Sequence, residues 1–398
     1  MKLKLAIFIA LVLAGCNPAP REDALDSPSE SKVFPIGGYS GIPERDKAAG
    51  FTIVGPVYGT QRERILEEAE KAGLPCIYTV GMELDFLGKK GPELTVLDQE
   101  AVRAEIRRQV EAVMDHAAIT VWYLIPEELR HWKSLEMDYL RIASETIRET
   151  DPKKRPVWMY EPGHRDQASL EKTFPYQQLV GKGVYPNYSG RRVERGWVPW
   201  TLGQQAGAIQ AVNPKAVPYG ILEMFKTPKD DFPLEDIPVW VRHDAYAALI
   251  AGVQGFVIFS FGNRAGFNSA TEEYNAYYQA WSEVANELNG PLQLGSVVLA
   301  GTPVSPPVFE IASGPQQITL SASKADIKEP VKIPSISTAA FTWSGKTYWL
   351  LVNSSNETMR LTVNGKLWTP LLEGQPTFNA GDLTLPPLAV AVFRANGK

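Results

Sequence analysis

The chain has few residues of the types that build disulfides and metal centres. Its 398 residues include two cysteines, Cys16 and Cys76. Because only Cys76 lies beyond the first 16 residues, an internal disulfide is excluded there. Cys76 lies in the apolar stretch "LPCIYTV", which favours a small buried side chain over a nucleophile. The four histidines occur at none of the close spacings typical of metal ligands, so we expect neither a metal nor a cofactor: His116, His131, His164 and His243.

The chain also lacks a strong charge of either sign. Its formal net charge is −5, and basic residues are scattered among acidic ones. A nucleic-acid-binding protein would carry a basic patch, so we expect no nucleic-acid partner. The length is sufficient for one large hydrophobic core and a smaller second one.

Long hydrophobic runs are absent apart from one at the N-terminus. Lys2 and Lys4 precede the apolar residues 5–13, which are too few to cross a bilayer as a helix. The following letters "LAGC" resemble the lipobox of bacterial lipoproteins, which implies a signal peptide over residues 1–16 and lipidation of Cys16. An ordinary secretory signal with a chance cysteine is the alternative.

The next residues are consistent with a lipid-anchored chain. Residues 17–32 are polar and rich in proline and serine, which is typical of a flexible tether. We therefore expect an exported protein held by a lipid on the periplasmic or cell-surface side of a bacterial membrane. Asn17 directly after the cysteine resembles lipoproteins sorted to the outer membrane, which favours that membrane.

Residues 33–290 alternate short apolar runs with helix-period segments, which predicts βα units around a parallel sheet. Eight runs close a (β/α)8 TIM barrel. The runs are "VFPIGG", "FTIVGPVY", "LPCIYTVG", "ITVWYLI", "RPVWMYE", "GKGVYP", "AVPYGILE" and "GVQGFVIFSF". Gly73 is predicted to end one helix and Asp98 to cap the next.

The pattern changes after Gly290 and Pro291. Short alternating segments with turn residues replace the apolar helical stripes. "AAFTWSGKTYWLLVNSS" predicts a hairpin that turns at Ser344-Gly345-Lys346, and "TMRLTVNGKLW" predicts another at Asn364-Gly365. We expect residues 291–398 to form a small antiparallel β-sandwich.

Glutamates stand where three of the predicted barrel strands end. Glu127 and Glu128 follow the fourth strand, Glu161 ends the fifth and Glu223 ends the seventh. The carboxyl ends of barrel strands form the active-site face, and two carboxyls of different pKa can cleave a glycosidic bond. The alternative for each is a helix cap or a partner of a nearby arginine. We expect Glu127, rather than Glu128, to face the barrel axis.

An internal echo supports this register. "DPKKRPVWMYE" and "NPKAVPYGILE" share the spacing of two prolines, a lysine and a final glutamate. This spacing predicts that Glu161 and Glu223 lie at the same level of the barrel.

A glutamate ending strand four and another ending strand seven resemble the arrangement of clan A glycoside hydrolases, over residues 33–290. The resemblance implies that Glu127 is the acid/base and that Glu223, in "GILEMF", is the nucleophile. "VRHDAYAALIAGVQGFVIFSF" and the "TWSGKTYWLLVNSS" segment are also similar to parts of such enzymes. The clan usually has Asn-Glu at strand four, whereas this chain has Pro126-Glu127, so the resemblance does not carry over the clan's sugar contacts.

Aromatic and basic side chains near the strand ends are candidate substrate contacts. Sugar rings stack on aromatic faces, and arginine pairs with the carboxylate of an acidic sugar. The loop 184–200 combines both types and is longer than a simple connection needs. Packing of this loop on the barrel rim is the alternative, as is a structural ion pair for Arg242. The candidates are Tyr39, Tyr160, Glu161, His164, Tyr185, Tyr188, Arg191, Arg192, Arg195, Trp197, Trp200, Arg242 and Asn268.

The sequence thus predicts an exported glycoside hydrolase with a two-glutamate, retaining mechanism. Its predicted partners are a lipid anchor and a polysaccharide or oligosaccharide substrate. If the loop arginines bind substrate, the sugar is acidic. A carbohydrate-binding lipoprotein on a degenerate barrel is the rival function. A metal-dependent hydrolase is disfavoured by the sparse histidines.

Overall fold

The computed structural model of the chain describes residues 31–89, 92–224, 233–261, 271–323, 327–363, 368–379 and 381–396. Predictions for Cys16, Asn268 and the Asn364-Gly365 turn lie outside these ranges. Within them, no helix combines the length and the apolar character needed to cross a membrane.

The first part of the described chain is a parallel barrel. Its strands pair in the order β5-β4-β3-β2-β1-β9-β8-β7-β6. The fifth apolar run supplies both β5 and β6, on either side of Met159, and the barrel closes because β5 pairs with β4 and β6 with β7. The strands are β1 Ile36–Gly38, β2 Ile53–Val57, β3 Cys76–Gly81, β4 Ile119–Ile125, β5 Val157–Trp158, β6 Tyr160–Glu161, β7 Leu179–Val184, β8 Val217–Glu223 and β9 Phe256–Phe259.

Helices surround the strands, which confirms the predicted (β/α)8 class. Gly73 ends α2 in the left-handed conformation with φ 66°, and the Asp98 side chain accepts a hydrogen bond from the amide of Ala101 at the start of α3, as predicted. The helices are α1 Pro43–Ala48, α2 Arg62–Ala72, α3 Gln99–Val113, α4 Ser134–Thr150, α5 Gln167–Thr173, α6 Trp197–Val212, α7 Asp236–Ile250 and α8 Thr271–Asn289.

The barrel interior is filled mainly by large aromatic side chains. Trp158 and Tyr160 face the axis, and β7 makes room for their rings with glycines. A Cβ atom added at Gly181 would lie 2.7 Å from the indole nitrogen of Trp158, and one at Gly183 would lie 2.2 Å from the hydroxyl of Tyr160. Only glycine permits such close packing.

A short helix, α9 Leu294–Ala300, which the sequence pattern did not reveal, leads into the C-terminal β-sheets. The predicted hairpin at Ser344-Gly345 is confirmed, with Trp343 paired to Lys346. Two sheets enclose an apolar core, in the orders β10-β14-β15-β20-β17 and β11-β16-β19-β18, and β12 pairs with β13. These strands are β10 Thr302–Val304, β11 Phe309–Ser313, β12 Gln317–Leu320, β13 Val331–Pro334, β14 Ile336–Trp343, β15 Lys346–Asn353, β16 Met359–Val363, β17 Thr369–Pro370, β18 Phe378–Asn379, β19 Asp382–Leu385 and β20 Val390–Asn396.

The sheets pack directly on the barrel. Alternate residues of β15, namely Tyr348, Leu350 and Val352, share one apolar core with Ala245 and Leu249 of α7. Burial of this surface couples the two parts of the molecule, since the hydrophobic effect scales with the apolar area removed from water.

Candidate active site

Glu127 lies at the mouth of the barrel, beyond the end of β4. Val121 and Tyr123 of β4 face the barrel interior, whereas Trp122 and Leu124 pack against the helices. Glu127 follows the inward set and accepts a hydrogen bond from the hydroxyl of Tyr58, which follows β2. This hydrogen bond places Glu127 beside the aromatic rings at the barrel mouth, and its role as the acid/base stays a prediction.

A wall of aromatic rings surrounds this carboxylate. Tyr39 and Tyr58 stack with ring centroids 5.7 Å apart. Tyr185 stacks on Tyr160 at 6.3 Å and on Phe259 at 5.3 Å. Burial, with a contribution from the negative charge of Glu127, raises the pKa of the Tyr39 hydroxyl well above its usual range. Three predicted aromatic residues, Tyr39, Tyr160 and Tyr185, thus come together at one site.

Glu128 and Glu127 both line a cleft of about 590 Å³. His164 lines the same cleft and is exposed. Trp132 also lines it, with 63% of its surface exposed. An exposed indole next to carboxylates is a surface on which an apolar sugar face can stack. A second cleft, of about 750 Å³, is lined by Tyr58, so the two clefts approach each other at the Tyr58–Glu127 hydrogen bond.

Left-handed backbone occurs after three of the barrel strands. Ser40, Glu128 and Ser260 have φ angles of 51°, 56° and 60° and follow β1, β4 and β9. Non-glycine residues rarely adopt this conformation, and where they do the position is often part of a functional site. The strain lies on the face of the barrel that carries the glutamates.

Glu223 ends β8 and continues its inward set, Tyr219 and Ile221. The carboxylate is only 4% exposed. Its Oε1 accepts a hydrogen bond from the amide of Asn187 at 2.8 Å, and its Oε2 accepts one from the amide of Tyr188 at 3.3 Å. Burial raises the pKa of Glu223 to about 8, although Arg195 and the Asn187 amide act in the opposite direction.

The prediction that Glu161 faces the mouth with Glu223 is wrong. Glu161 is fully buried on the helix side of its strand, where it pairs with Arg165 and accepts a hydrogen bond from Gln177 at 3.1 Å. The reason is the two-residue alternation of a strand: Trp158 and Tyr160 face the axis, so Glu161 must face outward. Its role is structural.

Two arginines of the 184–200 loop were also assigned wrongly to substrate. Arg191 is 5% exposed, pairs with Glu194 and donates to the carbonyl of Ser321. Arg195 is 1% exposed, pairs with Asp244 and donates to Asn187. Both guanidinium groups are used within the protein, so an acidic sugar loses its main predicted partners.

Three further predicted contacts lie in the helix layer. Trp197 is 2% exposed in the apolar core beneath α6. Trp200 packs against the same core, with the Lys182 ammonium 5.9 Å from its ring centroid. Arg242 pairs with Glu287 of α8 instead of a mouth glutamate. Each sits on a helix, whereas substrate contacts at a barrel mouth come from strand ends and loops.

The structure also brings forward residues that the sequence analysis did not select. Tyr58 ends the run "FTIVGPVY", so the rule that strand ends face the site would have found it. Trp132 lies seven residues after the end of β4, and no periodic pattern in the sequence points to it. Among the described residues, no group of three or more His, Cys, Asp or Glu side chains is arranged to hold a metal ion.

Comparison with known proteins gives a fold but no close relative. The sequence matches no protein-family profile and no curated protein. The structure is similar to Gan42B, a GH42 β-galactosidase of G. stearothermophilus, with a TM-score of 0.57 and 8% identity over 92% of this chain and 99% of that one. It is also similar to Amy13B of Eubacterium rectale, with a TM-score of 0.55 and 10% identity over 92% and 94%.

A third solved structure has the same architecture. It is a β-galactosidase from Rahnella sp. R3, with a TM-score of 0.54 and 8% identity over 92% of this chain and 99% of that chain. At such low identities the likeness establishes the fold. The barrel and the C-terminal sheets together therefore correspond to an architecture found in known carbohydrate-active proteins.

Proposed function

We propose that this chain is a glycoside hydrolase that uses Glu127 and Glu223 as its two carboxyl groups. One observation carries the proposal: Glu223 ends β8 on its inward-facing side, and Glu127, just beyond the end of β4, bonds to Tyr58, which packs against the same inner cluster. Cleavage of a glycosidic bond requires two carboxyl groups on opposite sides of that bond. The fold likeness to β-galactosidases supports the proposal by analogy.

In the proposed reaction, Glu127 donates its proton to the glycosidic oxygen while the carboxylate of Glu223 attacks the anomeric carbon. The bond to the leaving alcohol breaks and a covalent glycosyl ester forms on Glu223. Glu127 then removes a proton from water, whose oxygen attacks the same carbon and releases Glu223. The net change is one water consumed and one glycosidic bond replaced by two hydroxyls.

The surroundings of the two groups suit these roles. Two backbone amides fix both oxygens of Glu223 and favour the ionised form that a nucleophile needs, against the burial that raises its pKa to about 8. The cleft that contains Glu127 and Trp132 offers room for the leaving part of the substrate. The substrate class is an oligosaccharide or polysaccharide.

The assignment is tested by trapping the glycosyl ester. A panel of 2,4-dinitrophenyl 2-deoxy-2-fluoroglycosides should inactivate the protein for one sugar, with the label on the peptide that contains Glu223. Glu223→Gln should abolish labelling, and Glu161→Gln is the matched buried-carboxyl control. A label on Glu127, or hydrolysis by Glu223→Gln at the wild-type rate, would overturn the assignment.

The pH dependence gives a second test of the roles. A nucleophile must be ionised, so with a pKa of about 8 for Glu223 the value of kcat/KM should rise as the pH increases toward 8. If Glu223 were the proton donor instead, kcat/KM would fall above pH 8. Measuring kcat/KM on an aryl glycoside between pH 5 and 9 separates the two.

A second function is favoured by the burial of Glu223. Because this carboxyl is only 4% exposed and lies beneath the amides of Asn187 and Tyr188, a barrel that binds sugar without cleaving it is the rival. Saturable binding of an oligosaccharide by calorimetry, with no product formed and no effect of Glu223→Gln, would establish that rival.

We also propose that the chain is exported and anchored by a lipid on Cys16, on the strength of the "LAGC" sequence. In a bacterial host the full chain should incorporate labelled palmitate and partition with membranes. Cys16→Ser should do neither, and a soluble, unlabelled wild-type protein would refute the anchor.

A further inference from the structure

The loop that holds Glu223 is itself held by the C-terminal sheets. This loop, residues 185–196, supplies the two amides that bind the Glu223 carboxylate. The side chain of Asn356 donates to the carbonyl of Val193 at 2.7 Å. Gly196 is covered so closely by Ile318 of β12 that an added Cβ would lie 2.4 Å from its methyl group. These contacts join a sequence-distant domain to the immediate surroundings of the carboxyl group.

A buried relay of polar side chains makes a second, more direct connection. The Oδ1 of Asn187 accepts from Nη2 of Arg195 at 2.7 Å, and Nη1 of Arg195 pairs with Oδ2 of Asp244. The Nδ1 of His243 lies 2.8 Å from the other oxygen of Asp244. The Nε2 of His243 lies 3.0 Å from the hydroxyl of Ser354, which follows β15.

The direction of each hydrogen bond follows from the chemistry of the groups. The carboxylate of Asp244 only accepts, so Nδ1 of His243 carries the proton and donates it. In the neutral imidazole, Nε2 then accepts from the Ser354 hydroxyl. All five residues are at most 4% exposed, and in such surroundings each member of a hydrogen-bonded network orients the next.

From these contacts we propose that Ser354 and His243 are positioning residues for Glu223, so that the C-terminal sheets form a working part of the active site. The relay fixes Arg195, Arg195 fixes the Asn187 side chain, and Asn187 aims its amide at the carboxylate. The packing of the Arg195 guanidinium on Trp240, 4.7 Å from the ring centroid, restricts the same group from the other side. The catalytic part of this inference rests on the proposed glycoside hydrolase function.

The chain offers a matched pair of variants for the test. Ser354→Ala removes the hydroxyl that faces His243. Ser355→Ala removes the hydroxyl of a comparably buried residue in the same turn, whose hydrogen bonds within the described residues go to Asn353 and Glu357 of its own domain. Both variants lose buried hydrogen bonds, so their melting temperatures should be similar. A difference between them in the loop 185–196 would then not reflect a change in global stability.

Amide hydrogen exchange followed by mass spectrometry measures the loop without any substrate. In Ser354→Ala, peptides covering residues 185–196 should exchange about 2- to 10-fold faster, the range that one lost hydrogen bond corresponds to. Ser355→Ala should exchange there like the wild type. Equal protection of this loop in Ser354→Ala and the wild type would overturn the proposal.

Kinetics on the 4-nitrophenyl glycoside that the wild type hydrolyses supplies the functional readout. Ser354→Ala should lower kcat with little change in KM, and the acidic limb of its pH profile should move upward because the amide donors to Glu223 are loosened. Unchanged kcat and pH profile would overturn the positioning role. If the wild type hydrolyses no glycoside, the proposed function fails, while the exchange experiment still decides whether the relay holds the loop.

Discussion

The strands β6 and β8 both end in a glutamate, each five residues after a proline. The surroundings of these two glutamates, Glu161 and Glu223, are nevertheless opposite. Glu223 faces the barrel axis and is bound by backbone amides, whereas Glu161 faces the helices and is bound by Arg165. The difference is one residue of register. In "PYGILE" the first residue after proline, Tyr219, faces inward, and in "PVWMYE" it is the second, Trp158. A strand-end glutamate is therefore a candidate catalytic group only when its face is known.

The largest difference between these two glutamates should appear in turnover. Glu223→Gln should lower kcat by about 10⁴-fold, the order found when a member of a catalytic unit is removed. Glu161→Gln should leave kcat within about tenfold of the wild type, because the side chain touches no substrate. Steady-state assays of both variants on one aryl glycoside check this. Comparable losses in the two would mean that facing the axis is not what distinguishes them.

For the free energy of unfolding, the order of the two variants should be reversed, with the larger loss in Glu161→Gln. Glu161→Gln leaves the guanidinium of Arg165 buried without its counter-charge, so the free energy of unfolding should fall by about 3–5 kcal/mol. Urea unfolding measures this. Glu145→Gln, which breaks a partly exposed pair with Arg141, is the control and should change stability by less than about 1 kcal/mol. A result for Glu161→Gln as small as the control would show that the buried pair is dispensable.

The free energy of unfolding should also depend on pH through Glu223, at the end of β8. Burial raises the pKa of Glu223 from 4.5 to about 8, so the folded chain binds a proton that the unfolded chain has lost between these values. The contribution of this group to stability is therefore fully present below about pH 4.5 and is lost as the pH rises toward 8. Relative to the wild type, Glu223→Gln should gain stability over this range. A difference that stays flat with pH would mean that Glu223 is already ionised.

The smallest effect is expected for the exposed neighbour of Glu127. Glu128→Gln should change kcat by less than about tenfold, whereas Glu127→Gln should cost about 10²–10⁴-fold, the range for a lost general acid/base. Exogenous azide should restore turnover of a dinitrophenyl glycoside by Glu127→Gln, because this leaving group needs no proton and the azide anion attacks the glycosyl ester without a general base. If Glu128→Gln were the more damaged variant, the acid/base role would move to Glu128.

Much of the fold could be predicted from the sequence, because hydrophobic periodicity and the residues that start or stop an element are local properties. The eight apolar runs, the stop at Gly73 and the cap at Asp98 each depend on a few neighbouring residues. The position of Glu127 and Glu223 near the barrel mouth followed from the rule for strand ends. The direction in which Glu161, Trp197 and Arg242 face could not be predicted. It depends on the exact register of the strand or helix and on partners brought in by packing, such as Glu287 for Arg242.

The relay to Ser354 could not be read from the sequence for the same reason. Asn187 and Ser354 are 167 positions apart in the sequence, and no motif around either residue predicts that they are connected. Only the packing of β15 against α7 brings the hydroxyl to His243.

The glycines of β7 have a consequence for how this barrel can change over evolutionary time. Trp158 fills the space above Gly181 together with Ile221, and Tyr160 fills the space above Gly183, so each ring and its facing glycine share a volume that neighbouring side chains limit. A methyl group gained on one side must be given up on the other. We expect diverging descendants of this chain to exchange bulk across the two strands in pairs, and a library that varies both positions together should reach remodelled interiors that single substitutions cannot.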